Sequence, residues 1–399
     1  MSFLRRHRGA LLVLLAASSL TWTLVRVWLT TYHSLQLDLD VYLLGAQHLT
    51  DGSLYHVSLP FSPHLPYTYP PFSAIAFLPL TWLPHQAAQL SWAALNVLAL
   101  AGIIALSLRA LRADLRGRNL VLWTLIALGP AFSLEPVWLT FNYGQINLVL
   151  TVMILADLTG HLRCGSRTLP RGILLGIAAA IKLIPLVFVA YLFVTRQTKA
   201  AWTAVWTFLA CSAIAFAVAP RTSWSYWTHY ATDASRVGGV WFTSNQSLRG
   251  MLDRFSHTAL GAFVPTVVGL VVLIAGLAVA RRAYRESSPF LGMLVAAVTG
   301  LLVSPITWAH HMVWIIPILL WLLLGDDRPR SGRAIAIVGA ILFWWAPIWH
   351  VAFGGTAELH EGAGQLVLGN AFGLAAVAFL IGIAVMLHLR QRRRPLAAA

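Results

Sequence analysis

Ala-Leu-Leu-Val-Leu-Leu at residues 10 to 15 opens an apolar stretch that continues to residue 31, and Leu-Gln-Leu-Asp-Leu-Asp-Val-Tyr at residues 35 to 42 follows it. About 20 apolar residues can cross the roughly 30 Å hydrocarbon core as a helix, and this stretch exceeds the core of a signal peptide. We therefore predict a retained first membrane helix. Asp38 and Asp40 stand directly outside it, in a chain with only 13 acidic residues. Because a carboxylate beside a membrane needs water, a cation or a substrate to offset lost hydration, both are predicted to be functional.

The composition is that of a polytopic membrane protein. Hydrophobic residues make up 58% of the chain and charged residues 10%, and the mean hydropathy is +0.73. The 28 basic residues outnumber the 13 acidic ones. In such a chain this excess indicates loop orientation and not a nucleic-acid partner. Cys164 and Cys211 fall in a basic loop and an apolar span, so no disulfide framework is expected.

About ten apolar stretches are long enough to be predicted as membrane crossings. They lie near residues 10–31, 86–108, 119–134, 145–160, 200–219, 259–280, 288–304, 310–324, 334–350 and 366–389. The positive-inside rule places the short basic loops between them in the cytoplasm, together with both termini, which carry Arg5, Arg6 and Arg392 to Arg394. We predict a multi-pass plasma-membrane protein with an extracytoplasmic active site.

Residues 172–195 conflict with this topology, because basic loops flank them on both sides. Lys182 and Pro185 in their centre favour a break in a polar setting, so we predict a re-entrant pair of short helices and about 12 membrane helices in all. One long crossing remains the alternative. The large outer loops are then 32–85 and 220–258, and the apolar run from Phe72 to Leu83 is predicted to form interfacial helices.

Polar residues on the predicted outer face suggest a site for a phosphate and a sugar. The loop 220–258 carries four arginines, whose guanidinium groups suit phosphate oxygens, although pairing with Asp233, Asp253 or lipid phosphates explains any one of them equally well. The adjacent imidazoles of His310 and His311 can donate to phosphate or accept a hydroxyl proton, or cap a helix. The amides of two further segments can bind sugar hydroxyls or cap helices. These residues are Arg221, Arg236, Arg249 and Arg254; Asn142, Gln145 and Asn147; and Asn245 and Gln246.

Motifs of soluble enzymes are absent: the sequence has no phosphate loop, dinucleotide fingerprint, His-Glu-x-x-His or nucleophile elbow. A donor substrate dissolved in the membrane fits this sequence better than a soluble nucleotide sugar.

Several short segments, taken in order, resemble the actinobacterial polyprenyl-phosphate-mannose-dependent mannosyltransferases, glycosyltransferase family 87. The resemblance covers nearly the whole chain and is strongest to members that form alpha-1,2 linkages on phosphatidylinositol mannosides, with lipomannan-branching relatives next. It implies a GT-C fold, all-α and polytopic, as a single domain over residues 1–399. The segments are Asp38-Leu-Asp-Val-Tyr42, Tyr69-Pro-Pro-Phe72, Gly144-Gln-Ile-Asn147, Ile181-Lys-Leu-Ile-Pro185, Asn245-Gln-Ser247 and Ser304-Pro-Ile-Thr-Trp308 with His310-His311.

The resemblance also implies substrates and roles. The donor is a polyprenyl-phosphate mannose and the acceptor a phosphatidylinositol mannoside. A beta-linked donor and an alpha-linked product require inversion, with Asp38, or His310 or His311, as the general base. Arg249, Lys182 and His310 are candidates to neutralise the leaving phosphate. Candidates for contacts to the acceptor or the sugar are Asp40, Tyr42, Tyr69, Asn142, Gln145, Asn147, Asn245, Gln246 and Trp308.

Some alternatives remain open at this stage. No third carboxylate lies near Asp38 and Asp40, so a metal-independent reaction is favoured over one that uses a divalent ion. A lipomannan-branching enzyme or an arabinosyltransferase would use the same fold. A polyprenyl-lipid transporter or flippase would also need many broken helices, but no two-fold repeat is evident. A scaffolding subunit would leave the outer carboxylates, arginines and histidines unexplained.

Overall fold

A computed structural model of the chain describes residues 8–160, 163, 164, 167–233, 236 and 238–393. The predicted cytoplasmic residues Arg5, Arg6 and Arg394 lie outside the described residues. The first half contains α1 (Arg8–His33), α2 (Leu37–Gln47), α3 (Pro71–Phe77), α4 (His85–Leu111), α5 (Gly117–Phe132), α6 (Glu135–Tyr143), α7 (Asn147–Thr159), α8 (Ile173–Ile181), α9 (Leu186–Val194) and α10 (Thr198–Val218). The second half contains α11 (Pro220–Ser225), α12 (Leu248–Phe255), α13 (Phe263–Glu286), α14 (Pro289–Val303), α15 (Ile315–Leu324), α16 (Gly332–Trp345), α17 (Ala363–Gly369) and α18 (Ala371–Arg393).

Shorter elements complete the chain. A π-helix spans Tyr226–Tyr230, and 3-10 helices span Leu78–Trp82, Ala309–Trp314, Pro347–Trp349 and Ala357–His360. The described strands are two residues long, β1 (Arg163–Cys164) and β2 (Arg167–Thr168), and they pair antiparallel. The protein is thus helical throughout its membrane-facing body, as its composition predicts.

Six of the described helices are long and apolar enough to cross a membrane, or up to seven if a bent pair counts as one span. They are α1, α4, α10, α13, α16 with its 3-10 extension, and α18. This confirms a helical, multi-pass character. The predicted total of about 12 membrane helices and the GT-C arrangement remain predictions.

Three of the predicted crossings are shorter helices. The stretches 145–160, 288–304 and 310–324 form α7 with 13 residues, α14 with 15, and the segment Ala309–Leu324. At 1.5 Å per residue, 15 residues span about 23 Å, less than the hydrocarbon core. Nearly every residue of α14 is buried, from Phe290 to Leu302. These helices form the centre of the bundle, where neighbouring helices replace lipid, and this explains how they can be short.

Residues 135–144, between the predicted crossings 119–134 and 145–160, contain the helix α6. Pro136 stands at the start of α6, where a missing N–H costs nothing, and Gly144 ends it with φ 67°. The axis of α6 turns 81° from that of α5. This sharp bend carries the chain across the end of the bundle and positions Gln145 and Asn147 in the interior.

The segment 172–195 is broken as the sequence predicts: α8 ends at Ile181 and α9 begins at Leu186. Gly172 and Gly176 lie against α10, where an added Cβ would collide with the carbonyls of Ala200 and Ala204 respectively. Small residues spaced by four allow two helix backbones to approach this closely. Close packing of α8 on α10 thereby fixes the break and the side chain of Lys182.

The first outer loop folds onto the bundle through aromatic side chains. The ring of Tyr42 in α2 stacks on Phe77 in α3 at 4.2 Å, and Phe77 contacts Trp92 in α4 at 5.1 Å. Tyr42 and Phe77 are almost fully buried. The run from Phe72 to Leu83 does form short helices, and one face of α3 packs into the protein core.

Arg254, one of the four arginines predicted to hold phosphate, has a structural role. Its guanidinium is fully buried and donates to the carbonyls of Trp241, Phe242 and Asn245 and to Asn370 Oδ1, at 2.8 to 3.0 Å. All its nitrogens are therefore used within the protein, which leaves none for a phosphate. Arg254 ties the loop 241–245 to the start of α18.

Candidate active site

Asp38 lies in the first turn of α2, which begins after Gln36 adopts a left-handed conformation with φ 46°. A negative charge is favourable at a helix N-terminus. The carboxylate accepts a hydrogen bond from Gln145, and the residue as a whole is half-buried. Burial raises the pKa of Asp38 to about 6, although the Gln145 hydrogen bond and the positive charge of Lys182 both act to lower it.

Gln145 is the centre of the hydrogen bonds around Asp38. It follows Gly144, whose position is so close to α2 that an added Cβ would lie 2.7 Å from Leu39 Cβ. Gln145 is 1% exposed. Its Oε1 accepts from the Tyr42 hydroxyl at 2.9 Å and from Asn147 Nδ2 at 3.4 Å. With its oxygen facing these two donors, its Nε2 is directed to Asp38.

Lys182 lies at the break between α8 and α9, and its ammonium group faces the same centre. Its Nζ donates to Asn147 Oδ1 at 3.0 Å and to His311 Nε2 at 3.0 Å, and it lies 5.1 Å from the ring centroid of Tyr69. Asn147 is held in turn by a 3.0 Å bond to the carbonyl of His310. The sequence predicts a break at Lys182 but not the depth that the break reaches; the structure brings Lys182 to His311, one of the residues predicted on the outer face.

The two histidines occupy the 3-10 helix Ala309–Trp314, and both rings are buried. Because an ammonium group has only donors, His311 Nε2 must accept from Lys182, so a neutral His311 carries its proton on Nδ1. Among the described residues, His311 Nδ1 and both ring nitrogens of His310 have no hydrogen-bond partner. The ring of His310 contacts that of His311 at 4.8 Å and that of Tyr143 at 5.7 Å. Both imidazoles therefore face the cluster, with nitrogen atoms free for a ligand.

A cavity of about 530 Å³ begins at this cluster. Its polar end is formed by Lys182, His311 and Tyr69, and Trp308 lies along one side. Much of the rest of its wall is apolar, and these apolar residues include Leu183, Leu186, Val187, Ala190, Leu273 and Val303. Polar side chains also line it, namely Thr68, Tyr226, Tyr230, Thr232, Asp233 and Ser304. A cation beside a largely apolar wall suits a ligand with an anionic head and a hydrocarbon tail.

A family model described as "Glycosyltransferase family 87" matches residues 67–305 of this chain. The chain is also similar to three curated mycobacterial proteins. A polyprenol-phosphate-mannose-dependent alpha-(1-2)-phosphatidylinositol mannoside mannosyltransferase of Mycobacterium tuberculosis is 34% identical over 86% of this chain and 83% of its own. Two polyprenol-phosphate-mannose-dependent alpha-(1-2)-phosphatidylinositol pentamannoside mannosyltransferases follow. The one from M. tuberculosis is 36% identical over 83% of this chain and 76% of its own length. The one from Mycolicibacterium smegmatis is 35% identical over 83% of this chain and 79% of its own length.

The chain belongs to glycosyltransferase family 87. The family match and the relatives' coverage together span most of its length. No solved structure gives a significant match.

Several of the residues predicted from the sequence meet at the cluster of this family 87 chain, and others do not. Asp38, Tyr42, Tyr69, Gln145, Asn147, Lys182, His310, His311 and Trp308 lie at the cluster or along the cavity. Asp40 points elsewhere and accepts from His85 Nε2 at 2.7 Å. Because Asp38 and Asp40 are two residues apart on a helix, their side chains are rotated by about 200° from each other around the helix axis.

Arg249 and Asn142 lie outside the contacts of the cluster. Arg249 is on α12, half-buried, and its Nε has no hydrogen-bond partner. Asn142 is half-buried in the last turn of α6. Neither is joined to Lys182 or Asp38 by a direct bond in the described part of the chain.

Asn245 and Gln246 are fully buried, and protein contacts use their amide groups. Asn245 donates to the carbonyls of Val240 and Pro305 and accepts from the N–H of Thr307. Gln246 donates to the carbonyls of Thr243 and Gly369 and accepts from the N–H of Gly373. These contacts speak against the predicted sugar-binding role, because neither side chain has a group left for a hydroxyl. Both instead hold the loop that precedes α12.

No group of three His, Cys, Asp or Glu side chains within the described ranges is placed to hold a metal ion. The cation beside Asp38 is Lys182, and Asp40 faces away, so the two carboxylates cannot share one metal. Metal independence remains a prediction of the sequence.

Two residues of the site were missed from the sequence. Tyr143 faces His310, and His85 pairs with Asp40. Tyr143 stands between Asn142 and Gly144, inside a segment already singled out, so its position was a usable signal. His85 follows the apolar run of the first outer loop, and nothing in its local sequence indicates a partner 45 residues away.

Proposed function

We propose that this chain is an inverting mannosyltransferase that transfers mannose from a polyprenyl-phosphate mannose to a phosphatidylinositol mannoside at the extracytoplasmic face, forming an alpha-1,2 linkage. The observation that carries the proposal is the position of Lys182, bonded to His311, in a largely apolar cavity, with the Asp38 carboxylate close enough to sense the positive charge of Lys182. The names of the family 87 relatives supply the substrates. The GT-C arrangement is part of the proposal.

The donor fits the cavity by its two parts. The apolar wall along α9 and α14 accommodates the polyprenyl chain, and the phosphate reaches Lys182 in the same cavity. Lys182 has three N–H donors, of which two are used by Asn147 and His311. The third, together with the free Nδ1–H of His311, can bind phosphate oxygens. A positioned cation is worth most where charge develops in the transition state, and here charge develops on the leaving phosphate.

Asp38 acts as the general base. It accepts the proton of the acceptor hydroxyl while that oxygen attacks the anomeric carbon; the bond from this carbon to the phosphate oxygen breaks on the opposite face. The polyprenyl phosphate leaves with the electron pair, and the configuration inverts without a covalent enzyme intermediate. His311 is a poorer candidate base because its Nε2 already accepts from Lys182. His310 has free ring nitrogens and contacts the sugar or the phosphate.

The remaining polar residues bind or orient. Tyr69, whose ring lies over Lys182, and Tyr42 surround the mannose, and Trp308 lies along the donor channel. Gln145 and Asn147 orient Asp38 and Lys182. Asn142 and Arg249 are left for the acceptor or its phosphate, whereas Asp40, which pairs with His85, is assigned no substrate contact.

The test is transfer by purified protein from polyprenyl-phosphate mannose to a phosphatidylinositol tetramannoside, with product mass and linkage as readout. Asp38→Asn is nearly isosteric and removes the basicity, so we expect a loss of about 10²- to 10⁴-fold in turnover. Asp40→Asn is the matched control, because it makes the same change on the other face of α2; we expect less than a roughly tenfold effect.

Two results would contradict the proposal. Well-folded wild-type protein that transfers mannose to no mannolipid acceptor would argue for another sugar or for lipid transport. Equal losses of turnover in Asp38→Asn and Asp40→Asn would contradict the assignment of Asp38 as the base, but not the proposal that the protein transfers mannose.

A further inference from the structure

A small crevice lies at the end of α1, away from the donor cavity. It encloses about 200 Å³ between the last two turns of α1 and the first two turns of α4. Aromatic rings and polar groups line it together: Trp28, Tyr32, Thr31, Ser34, Gln86 and Gln89. We propose that this crevice binds one cyclic polyol ring of the acceptor head group, a mannose or the inositol, at a distance from the sugar that reacts. The inference rests on the proposed function and names a second subsite for its acceptor.

The lining has the chemistry that a pyranose or an inositol needs. Such a ring presents hydroxyls around its rim and C–H groups on its faces. Gln86 and Gln89 each offer an amide with two donors and an acceptor, which can bind adjacent hydroxyls. Trp28 and Tyr32 are aromatic rings in near-parallel planes, 15° apart with centroids 6.2 Å from each other. Their apolar faces suit the C–H side of a sugar, and the described residues that line the crevice include no lysine, arginine or carboxylate that would favour an ion.

The crevice also contains polar groups that the protein itself does not satisfy. Thr31 is 5% exposed, and its Oγ1 has no hydrogen-bond partner within the part of the chain that the structure describes. The same holds for the Oγ of Ser34. In helices such hydroxyls commonly bond to the carbonyl four residues back, as Thr23 does to Ser19 at 2.8 Å. A buried hydroxyl left unpaired costs about 1–3 kcal/mol, so its persistence at a polar crevice points to a ligand.

Aromatic residues at the end of a membrane helix have a simpler explanation, since Trp and Tyr often anchor helices at the membrane interface. Anchoring accounts for the exposed rings of Trp28 and Tyr32. It does not account for two glutamine amides and an unpaired buried hydroxyl converging on the same crevice. An interfacial position is also where the sugar head group of a membrane lipid lies.

The crevice and Asp38 are connected through α2. Asp40 faces away from Asp38 and pairs with His85, the first residue of α4. Gln86 is the next residue and lines the crevice. The Asp40–His85 bond therefore joins α2, which carries Asp38, to the turn of α4 that lines the crevice. An oligomannoside has several linked sugar rings, so in this proposal its terminal hydroxyl reaches Asp38 while an inner ring occupies the crevice.

The test compares two acceptors: a phosphatidylinositol tetramannoside, which can reach both places, and octyl α-mannoside, which has one ring. The variants are Thr31→Val and Gln89→Leu. A lost hydrogen bond changes binding by about 3- to 10-fold. We therefore expect KM for the tetramannoside to rise by that factor, with kcat and the kinetics on octyl mannoside unchanged. The matched controls are Thr30→Val, one residue away and outside the crevice, and Trp22→Leu, on the same helix.

The thermal midpoint separates binding from structure. Thr31→Val removes an unpaired buried hydroxyl, so the midpoint should stay or rise while KM increases. An unchanged KM for the tetramannoside, or an equal rise in KM for both acceptors, would refute the crevice as an acceptor subsite. Neither result would contradict the proposed function.

If wild-type protein transferred mannose to neither acceptor, the proposed function would fail. A direct binding measurement would then test whether the crevice binds a mannose or an inositol ring. Saturation-transfer NMR on the detergent-solubilised protein would use α-mannobiose and myo-inositol as separate ligands. Binding of either that is lost in Thr31→Val and Gln89→Leu but kept in the controls supports the subsite and identifies the ring. Binding of neither to the wild-type protein refutes it.

Discussion

Gln145→Leu should shift the acidic limb of the pH–activity profile toward higher pH. Gln145 donates to the Asp38 carboxylate, and this bond lowers a pKa that burial has raised to about 6. Removing the donor disfavours the charged carboxylate, so the pKa of Asp38 rises and the base becomes protonated at a higher pH.

The size of the shift follows from the strength of one hydrogen bond. A bond to a charged group contributes about 1.5–3 kcal/mol, and one pKa unit corresponds to about 1.4 kcal/mol. The pKa of Asp38 should therefore move from about 6 to roughly 7–8. At pH 7 the wild-type base is mostly ionised, whereas at a pKa of 8 only about one-tenth of it would be, which predicts a roughly tenfold loss of turnover at pH 7. The loss should shrink as the pH rises.

The assay is kcat/KM for mannose transfer between pH 5 and 9, because this quantity reports ionisations of the free enzyme. Gln145→Glu extends the test, since a negative charge beside Asp38 should raise its pKa further. Asn142→Leu is the matched control: it changes an amide three residues earlier that does not contact Asp38, so its acidic limb should coincide with that of the wild type. A limb that stays in place in Gln145→Leu, or moves toward lower pH, would refute the role of Gln145 and weaken that of Asp38.

Three further perturbations follow from the same contacts. Lys182→Met keeps most of the side-chain volume and removes the cation, so we expect turnover to fall about 10²- to 10³-fold with protein yield retained; wild-type turnover would exclude Lys182 from the phosphate. Arg254→Met leaves the carbonyls that Arg254 binds without donors, so the free energy of unfolding should fall by about 3 kcal/mol or more and the thermal midpoint should drop. An unchanged midpoint would contradict the structural role of Arg254. Treatment with EDTA should leave mannose transfer unchanged, since Lys182 supplies the positive charge beside Asp38. Loss of activity that only added Mg²⁺ or Mn²⁺ restores would show that the reaction depends on a metal ion.

The membrane character, the break after Ile181 and most of the residues that meet at the candidate site could be named from the sequence. Their signals are local: an apolar run is long enough to cross a bilayer or it is not, and Pro185 cannot continue a helix. Asp38, Gln145 and Lys182 were each notable because a charged or polar side chain is rare in such an apolar chain. That rarity identifies the residue but not its neighbours.

The errors arose where a polar group had two possible partners. Arg254, Asn245 and Gln246 were interpreted as ligand-binding because they lie in a predicted outer loop, yet they bind backbone carbonyls of that loop and its neighbours. Sequence does not show whether a guanidinium faces a cavity or a turn. The position of Lys182 was uncertain for a related reason, since the depth that a broken segment reaches depends on its packing against α10.

The amides between Asp38 and Lys182 explain how one site can hold a base and a cation together. No ion pair within 4.0 Å joins the two charges among the described residues, although each senses the other. A direct pair would lower the basicity of Asp38 and occupy the ammonium that the phosphate needs. Instead Gln145 binds the carboxylate, Asn147 binds the ammonium, and the two amides contact each other at 3.4 Å. Neutral side chains can satisfy both charges without neutralising either, which keeps the base free for the acceptor and the cation free for the leaving group.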